Sequence, residues 1–327
     1  MPVTKISAAR RSSSAAGARS SSLQLVGLAS RWSGRVFRSA LTVLFLVALA
    51  DPPRAQDAGQ GGGEAAVERG SYIFQAAGCL GCHSDKKGGG QALAGGRALV
   101  TPFGTFYTPN ITPDPRTGIG AWREQDFIAA LRHGTSPEGV AYYPAFPYPS
   151  YSGMTDADLR DLFAYLMAQP PVTQQNRAHE LGFPYNLRFT LRIWQALFFE
   201  PAVFEPEPGQ DADWNRGAYL VRHLGHCGEC HSPRGFLGAV DSAQELAGNP
   251  AGPEGAKVPN LSPGPGGLSD WSESDIAYAL KTGITPDGDF LSDAMGEVID
   301  NTTSRLTDAD LAAISKYLKG LPPRSTP

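Results

Sequence analysis

Two short runs constrain this sequence more than anything else in it: Cys79-Leu80-Gly81-Cys82-His83 and Cys227-Gly228-Glu229-Cys230-His231. Both read C-x-x-C-H, the pattern to which haem c is attached. On one turn of helix, residues i, i+3 and i+4 share a face. Two thiols so spaced can form thioethers with the haem vinyl groups while the adjoining imidazole reaches the iron from the same side. His83 and His231 are then the proximal ligands. Other uses of the cysteines fit less well. A zinc site would need two pairs 148 residues apart, in what read as separate domains, and it leaves both histidines unexplained. A thioredoxin-like pair belongs in a βαβ pattern, which this sequence does not show. Four cysteines in an exported chain would ordinarily form two disulfides, but two haem motifs account for all four.

The sequence also repeats around these motifs. Arg69-Gly70-Ser71-Tyr72 corresponds to Arg216-Gly217-Ala218-Tyr219 ahead of each one. Behind them, Pro109-Asn110-Ile111-Thr112-Pro113 corresponds to Pro259-Asn260-Leu261-Ser262-Pro263. Residues 122–139 align without gaps on 271–288, and Thr155-Asp156-Ala157-Asp158-Leu159 recurs unchanged at 307–311. The last pair opens helices: Thr is a natural N-cap, and the acid three residues on makes a variant of the capping box. Leu159, Leu162, Phe163 and Leu166 follow at helical spacing, as do Leu311, Ile314 and Leu318. Pro170-Pro171 and Pro322-Pro323 stop both helices. Each half therefore reads helix, C-x-x-C-H, long loop, short helix, long loop, terminal helix. With 38 glycines and 27 prolines, the composition suits that much loop.

This order resembles class I cytochrome c. The resemblance implies a mainly α fold of two tandem class I cytochrome c domains with long irregular loops, at residues 64–171 and 213–323, which a 327-residue chain can accommodate. In that family the first and last helices cross closely on a Gly and an aromatic, and the implied pairs are Gly70 with Tyr165 and Gly217 with Tyr317. Residues 172–212 belong to neither repeat. Within them Leu187, Leu191, Trp194 and Phe198 fall at helical spacing, with Ile193 and Leu197 beside them. This amphipathic helix either packs the two halves together or offers a docking surface to a dehydrogenase or the membrane. Arg188 and Arg192, one turn apart, are placed to pair with haem propionates.

Residues 1–50 hold seven of the 28 basic residues and none of the 32 acidic ones. Arg31, Arg35 and Arg38 precede an apolar run from Ala40 to Ala50, which ends in the small-x-small site Ala48-Leu49-Ala50. Residues 1–50 thus read as a signal peptide cut near Ala50, which directs the protein to the periplasm. Eleven apolar residues are too few to cross a hydrocarbon core of about 30 Å as a helix; a short membrane anchor is the other reading. Gly-rich residues 51–63 are expected to be a flexible lead-in. The remainder carries a net charge of −11. That gives no support to nucleic-acid binding and favours a partner with a basic docking face.

An electron-transfer haem usually has His and Met as axial ligands. The methionines are Met1, Met154, Met167 and Met295. Met1 leaves with the signal, and Met167 sits inside the last helix of the first half, where a core role suffices. Met295 lies in a loop, Asp293 to Glu297, where class I cytochromes place the ligand. Met154 directly precedes the Thr155 N-cap and aligns with Leu306. It is either the second ligand of the first haem or, like Leu306, a hydrophobic staple. Without Met154 that iron is open, or takes His133 or a tyrosine.

Phe103-Gly104-Thr105, Asn110 to Asp114, Thr117-Gly118-Ile119-Gly120 and Pro144 to Tyr151 resemble the cytochrome subunits of bacterial membrane alcohol and gluconate dehydrogenases, over about residues 66–322. Those subunits carry electrons from a dehydrogenase to the quinone pool or an oxidase. They have three haem motifs and a membrane-binding tail, against two motifs in a sequence ending at Pro327. Their first domain has Met where this chain has Phe146. A related two-haem branch has Phe there and Met just before the last helix, which favours Met154. The resemblance implies a periplasmic carrier with two covalently bound haem c groups. It would take single electrons from a dehydrogenase and pass them to another cytochrome or an oxidase, and peripheral membrane association is compatible with that role. The competing reading is a dihaem enzyme of thiosulfate dehydrogenase or peroxidase type, acting at the first haem. It needs an open iron with acid–base groups beside it, and the thiosulfate enzymes use a Cys ligand for which no cysteine is spare.

Overall fold

The computed structural model describes residues 57–252 and 255–327. The expected signal peptide and the start of the lead-in lie outside the described residues. The end of the lead-in differs from expectation, because α1 (Asp57–Ala76) already includes residues 57–63. Gly61, Gly62 and Gly63 argue against helix on propensity alone; the turns that follow them pack on a partner helix, and packing outweighs propensity.

In the first half α1 leads to α2 (Cys79–Cys82), strands β1 (Ala98–Thr101) and β2 (Gly104–Tyr107), then α3 (Glu124–His133), α4 (Tyr148–Tyr151) and α5 (Asp156–Met167). A connector follows with β3 (Glu180–Leu181) and α6 (Thr190–Phe198). The second half has α7 (Ala212–Tyr219), which runs into a π-helical turn over Leu220–Leu224. It continues with α8 (Gly228–His231), α9 (Glu273–Thr282), α10 (Asp293–Asn301) and α11 (Asp308–Lys319). The protein is thus mainly helical. One small antiparallel sheet among the described residues, ordered β1-β2-β3 with Thr101 paired to Gly104 and Gly104 to Leu181, was not legible in the sequence.

Helix α1 crosses α5, and α7 crosses α11. At Gly70 a Cβ would collide with the Asp161 carbonyl and lie 2.8 Å from the Cβ of Tyr165. At Gly217 it would meet the Ala313 carbonyl and lie 2.7 Å from the Cβ of Tyr317. Both implied Gly–aromatic crossings are therefore present, and only glycine permits so close an approach. Salt bridges flank them: Arg69 holds Asp161 through two bonds of 2.6 and 2.8 Å, and Arg216 holds Asp310 through two of 2.8 Å.

The caps of α5 and α11 join the two halves. Thr155 and Thr307 each accept the N–H three residues on at 3.1 Å, as their N-cap role requires. The expected box does not close on itself, however. Tyr219 from the second half accepts the Thr155 N–H and donates to Asp158 at 2.5 Å. Tyr72 from the first half accepts the Thr307 N–H and donates to Asp310 at 2.5 Å. Each half thus completes the other's helix cap.

Leu159, Leu162, Leu166, Leu311, Ile314 and Leu318 are all buried, and residues of both halves form one continuous apolar cluster. Helix α6 buries Leu191 and Gln195 against the first half, and the Trp194 indole donates to the Leu237 carbonyl of the second at 3.0 Å. The residues beside that stripe face outward, with Ile193 56% and Leu197 66% exposed, as does Phe198 at its end. Arg188 and Arg192 donate to the carbonyls of Ala141 and Gly139. No described helix is long and apolar enough to cross a membrane.

Candidate functional site

Each C-x-x-C-H run forms a helical turn in which the histidine N–H donates to the carbonyl of the first cysteine at 2.9 Å, His83 to Cys79 and His231 to Cys227. That turn sets both thiols and the imidazole on one face. Behind it, Nδ1 of His83 lies 2.8 Å from the Pro109 carbonyl, and Nδ1 of His231 lies 2.8 Å from the Pro259 carbonyl. A carbonyl only accepts, so Nδ1 carries the proton and Nε2 keeps its lone pair for a metal. The two prolines are the repeat's own equivalents. Burial holds both imidazoles below the usual histidine range, with the proline carbonyls pulling the other way.

The frame behind each histidine is duplicated as well. Gly95 donates to the His83 carbonyl and Gly248 to that of His231. Ile111 donates to Leu93 and Leu261 to Leu246, and both of these leucines adopt left-handed backbone, with φ of 62° and 61°. Asn110 and Asn260 pin the segments beyond the Pro-Pro stops, donating to the Val172 and Arg324 carbonyls at 2.7 and 2.8 Å. This explains the recurrence of Pro-Asn-x-Thr/Ser-Pro in a stretch that is neither helix nor strand.

All four cysteines are unpaired. Burial first, and the second thiol of each motif next, push Cys79 and Cys227 up to about 12. Protonated thiols are the opposite of a reactive dithiol's thiolate. Cys230 is pushed up to about 11 by burial, then by Glu229, and further by the Cys82 thiol of the other motif. The two motifs therefore face one another, as the contact of Ser150 with Glu229 also requires. Even so, no three His, Cys, Asp or Glu side chains among the described residues converge as a metal site. Chemically, the residues fit haem c: paired free thiols on one turn, and an imidazole with its outer nitrogen available.

Two arginines escaped sequence reading. Arg97 donates to the Gly81 carbonyl at 2.6 Å and Arg234 to the Glu229 carbonyl at 2.7 Å, the same position in the two motifs. Arg97 pairs with Glu297 across the halves, while Arg234 pairs with Glu229 itself. Because they occupy different places in the repeat, alignment gives no signal for them.

Met154 is fully buried, and its repeat equivalent Leu306 is buried too. Met295 is half-buried in the first turn of α10, not in a loop as expected. Gly296 within the turn hid that helix, although Met295, Val298, Ile299 and Thr302 lie at helical spacing. His133 is exposed at the end of α3, and Met167 is half-buried at the end of α5.

The cytochrome c family model matches residues 67–170. The chain is 46% identical over 261 residues to a diheme cytochrome c-type protein of Cereibacter sphaeroides, covering 78% of this chain and 86% of that one. It is 40% identical over 294 residues to the cytochrome c subunit of a quinone alcohol dehydrogenase from Gluconacetobacter polyoxogenes, covering 87% of this chain and 60% of that subunit. It is also 40% identical over 264 residues to the cytochrome subunit of a fructose dehydrogenase from Gluconobacter japonicus, covering 79% of this chain and 53% of that subunit.

Proposed function

Because the chain belongs to the cytochrome c family, we propose that it is a periplasmic electron carrier with two covalently bound haem c groups, one in each of two tandem cytochrome c domains. The observation that carries this reading is the duplicated geometry of C-x-x-C-H turn, imidazole and proline carbonyl. Cys79, Cys82, Cys227 and Cys230 would hold the haems, with His83 and His231 as proximal ligands and Met154 and Met295 as distal ones. When bound, haem supplies one-electron chemistry. The chain's own residues do the rest: Pro109 and Pro259 hold each imidazole in one tautomer, and burial keeps both imidazoles neutral.

The names of the relatives, cytochrome subunits of dehydrogenases, support a dehydrogenase as donor; another cytochrome or an oxidase would be the acceptor. The acidic body suits a basic docking face. The exposed apolar residues Ile193, Leu197 and Phe198 of α6, continued by Phe189 at 68% exposure, support contact with a partner or the membrane surface. Mass spectrometry of the protein recovered from the periplasm of a host that attaches haem tests the reading. We expect two haem additions that survive denaturation and a chain starting near Asp51. An apo-protein mass would refute the haem assignment, and an intact Ala40–Ala50 segment in the membrane fraction would refute the location.

A further inference from the structure

The two halves break their own symmetry just ahead of the second motif. Counting from the matched Tyr72 and Tyr219, Cys227 comes one residue later than Cys79 does. The π-helical turn Leu220–Leu224 absorbs the extra residue, closed by the Gly225 N–H donating to the Leu220 carbonyl at 2.6 Å. His226 then has φ 40°, in the left-handed region, where the first half has Gly78 with φ 65°. A non-glycine residue is strained there, and such strain persists only where the surroundings hold it.

Histidine can do what glycine cannot, which is reach across. The His226 ring stands edge-on to Tyr151 of the first half, with centroids 5.4 Å apart and planes at 87°. The Tyr151 hydroxyl donates at 2.7 Å to the carbonyl of Ala77, two residues ahead of Cys79. The neighbouring residues repeat the pattern. His223, inside the π turn, places Nδ1 2.9 Å from the Ser150 carbonyl, and the Ser150 hydroxyl donates to Glu229 of the second motif at 2.9 Å. Both deviations from the repeat therefore direct side chains onto Ser150 and Tyr151. The N–H of Met154 donates to the Tyr151 carbonyl at 3.0 Å, so the same segment carries the proposed distal ligand of the first haem.

We propose that Tyr151 and His226 are positioning residues: a bridge that holds the second haem motif against the first and so sets the mutual orientation and electronic coupling of the two haems. The bridge rests on the two-haem reading above. With both haems bound, they would supply the one-electron exchange, one iron passing from Fe(II) to Fe(III) as the other passes from Fe(III) to Fe(II). No bond forms or breaks, and the two side chains act only by fixing the geometry.

Soret circular dichroism of the holoprotein tests this, because two haems in a fixed relation give a bisignate couplet whose size depends on their distance and angle. The unmodified protein should show the couplet. His226→Gly introduces the first half's own residue at this position and relieves the strain along with the ring. It should keep two haems per chain and an unchanged far-ultraviolet spectrum, while the couplet falls by about half or more as the supporting contacts loosen. Tyr151→Phe keeps the ring, loses only the bond to Ala77, and should give a smaller loss; it decides the matter if His226→Gly does not assemble. Two haems with an unchanged couplet in the variants, or no couplet in the unmodified protein, would overturn the bridge and leave the two-haem reading standing. One haem per chain by pyridine haemochromogen would remove both.

Discussion

Replacing Tyr219 by Phe removes one hydroxyl from a cap that α5 does not complete alone. That hydroxyl donates to Asp158 at 2.5 Å and accepts the Thr155 N–H at 3.1 Å, and Tyr219 is only 5% exposed. A hydrogen bond to a charged group contributes about 1.5–3 kcal/mol. Asp158 and Thr155 are not fully buried, so water can partly replace the lost partner, and about 2 kcal/mol is expected. Tyr72→Phe should cost less, about 1 kcal/mol, because Arg216 still holds Asp310 through two bonds. The two effects should not simply add. Arg216 pairs with Asp310 and also feels the charge of Asp158, so the double variant should depart from the sum by about 0.5 kcal/mol or more. For a unit of this size, 2 kcal/mol corresponds to roughly 4 °C in the thermal midpoint of the holoprotein, read by far-ultraviolet circular dichroism. Tyr278→Phe, on a ring 54% exposed, is the control. If Tyr219→Phe lowers the midpoint no more than the control does, the exchanged caps do not hold the halves together.

Three further outcomes follow from the same geometry. Gly217→Ala should destabilise by about 1–3 kcal/mol or more, since its Cβ meets the Ala313 carbonyl, whereas Gly63→Ala has nothing within 4 Å and should be neutral or stabilising in denaturant titrations. Bonds from Thr173 and Thr117 hold the Asp114 carboxyl down at about 2, against 3.8 ordinarily; its contribution to stability is therefore present above pH 3.8, is lost as pH falls through 2, and should be missing from the acid-unfolding curve of Asp114→Asn. Met154→Ala and Met295→Ala should each remove half of the near-infrared His–Met band and lower one potential; a Met154→Ala protein with an unchanged spectrum, less stable by about 2–5 kcal/mol, would make Met154 a staple and move the dihaem-enzyme reading ahead.

What could be read from the sequence was local or duplicated. The thiol and imidazole positions follow from helical spacing, so His83 and His231 are already on one face with their cysteines. Helices α5 and α11 announced themselves by cap, stripe and Pro-Pro stop, and Gly70 and Gly217 by the family's crossing. Features that depend on distant pairing stayed hidden. Two matched tyrosines look like the same core position in each half, and nothing local says that each one caps the other half's helix. Arg97 and Arg234 serve the same carbonyl from unmatched places. The strands of the small sheet are too short to show alternation, and β3 lies in the connector, far along the chain from its partners. Helix α10 was concealed by Gly296, and the helical start of α1 by three consecutive glycines. The π turn did leave a trace, the one-residue slip between Tyr219 and Cys227, but a slip of that kind names no geometry until the backbone is seen.

The exchanged contacts change what two haem motifs in one chain mean. Tandem domains joined only by the connector at 172–212 would hold their motifs at a distance set by a flexible linker, and that distance would vary. Here each motif is lined from the opposite half. Arg97, which grips the first motif, pairs at 2.6 Å with Glu297 on α10, the helix that carries Met295. Lys86, just past the first motif, donates to Asn301 at the end of that helix at 2.9 Å. In the other direction, Ser150 and Tyr151, just ahead of Met154, hold Glu229 of the second motif and His226 immediately before it. Each proposed distal ligand thus sits on a segment fastened to the other half's motif. If both haems are held as proposed, a change of ligation at one would pull on the frame of the other, and their redox steps would be linked through the protein as well as through space. The connector adds its own contacts to both halves through Leu191 and Trp194, while Tyr72, Tyr219 and the α4 segment keep the motifs in register.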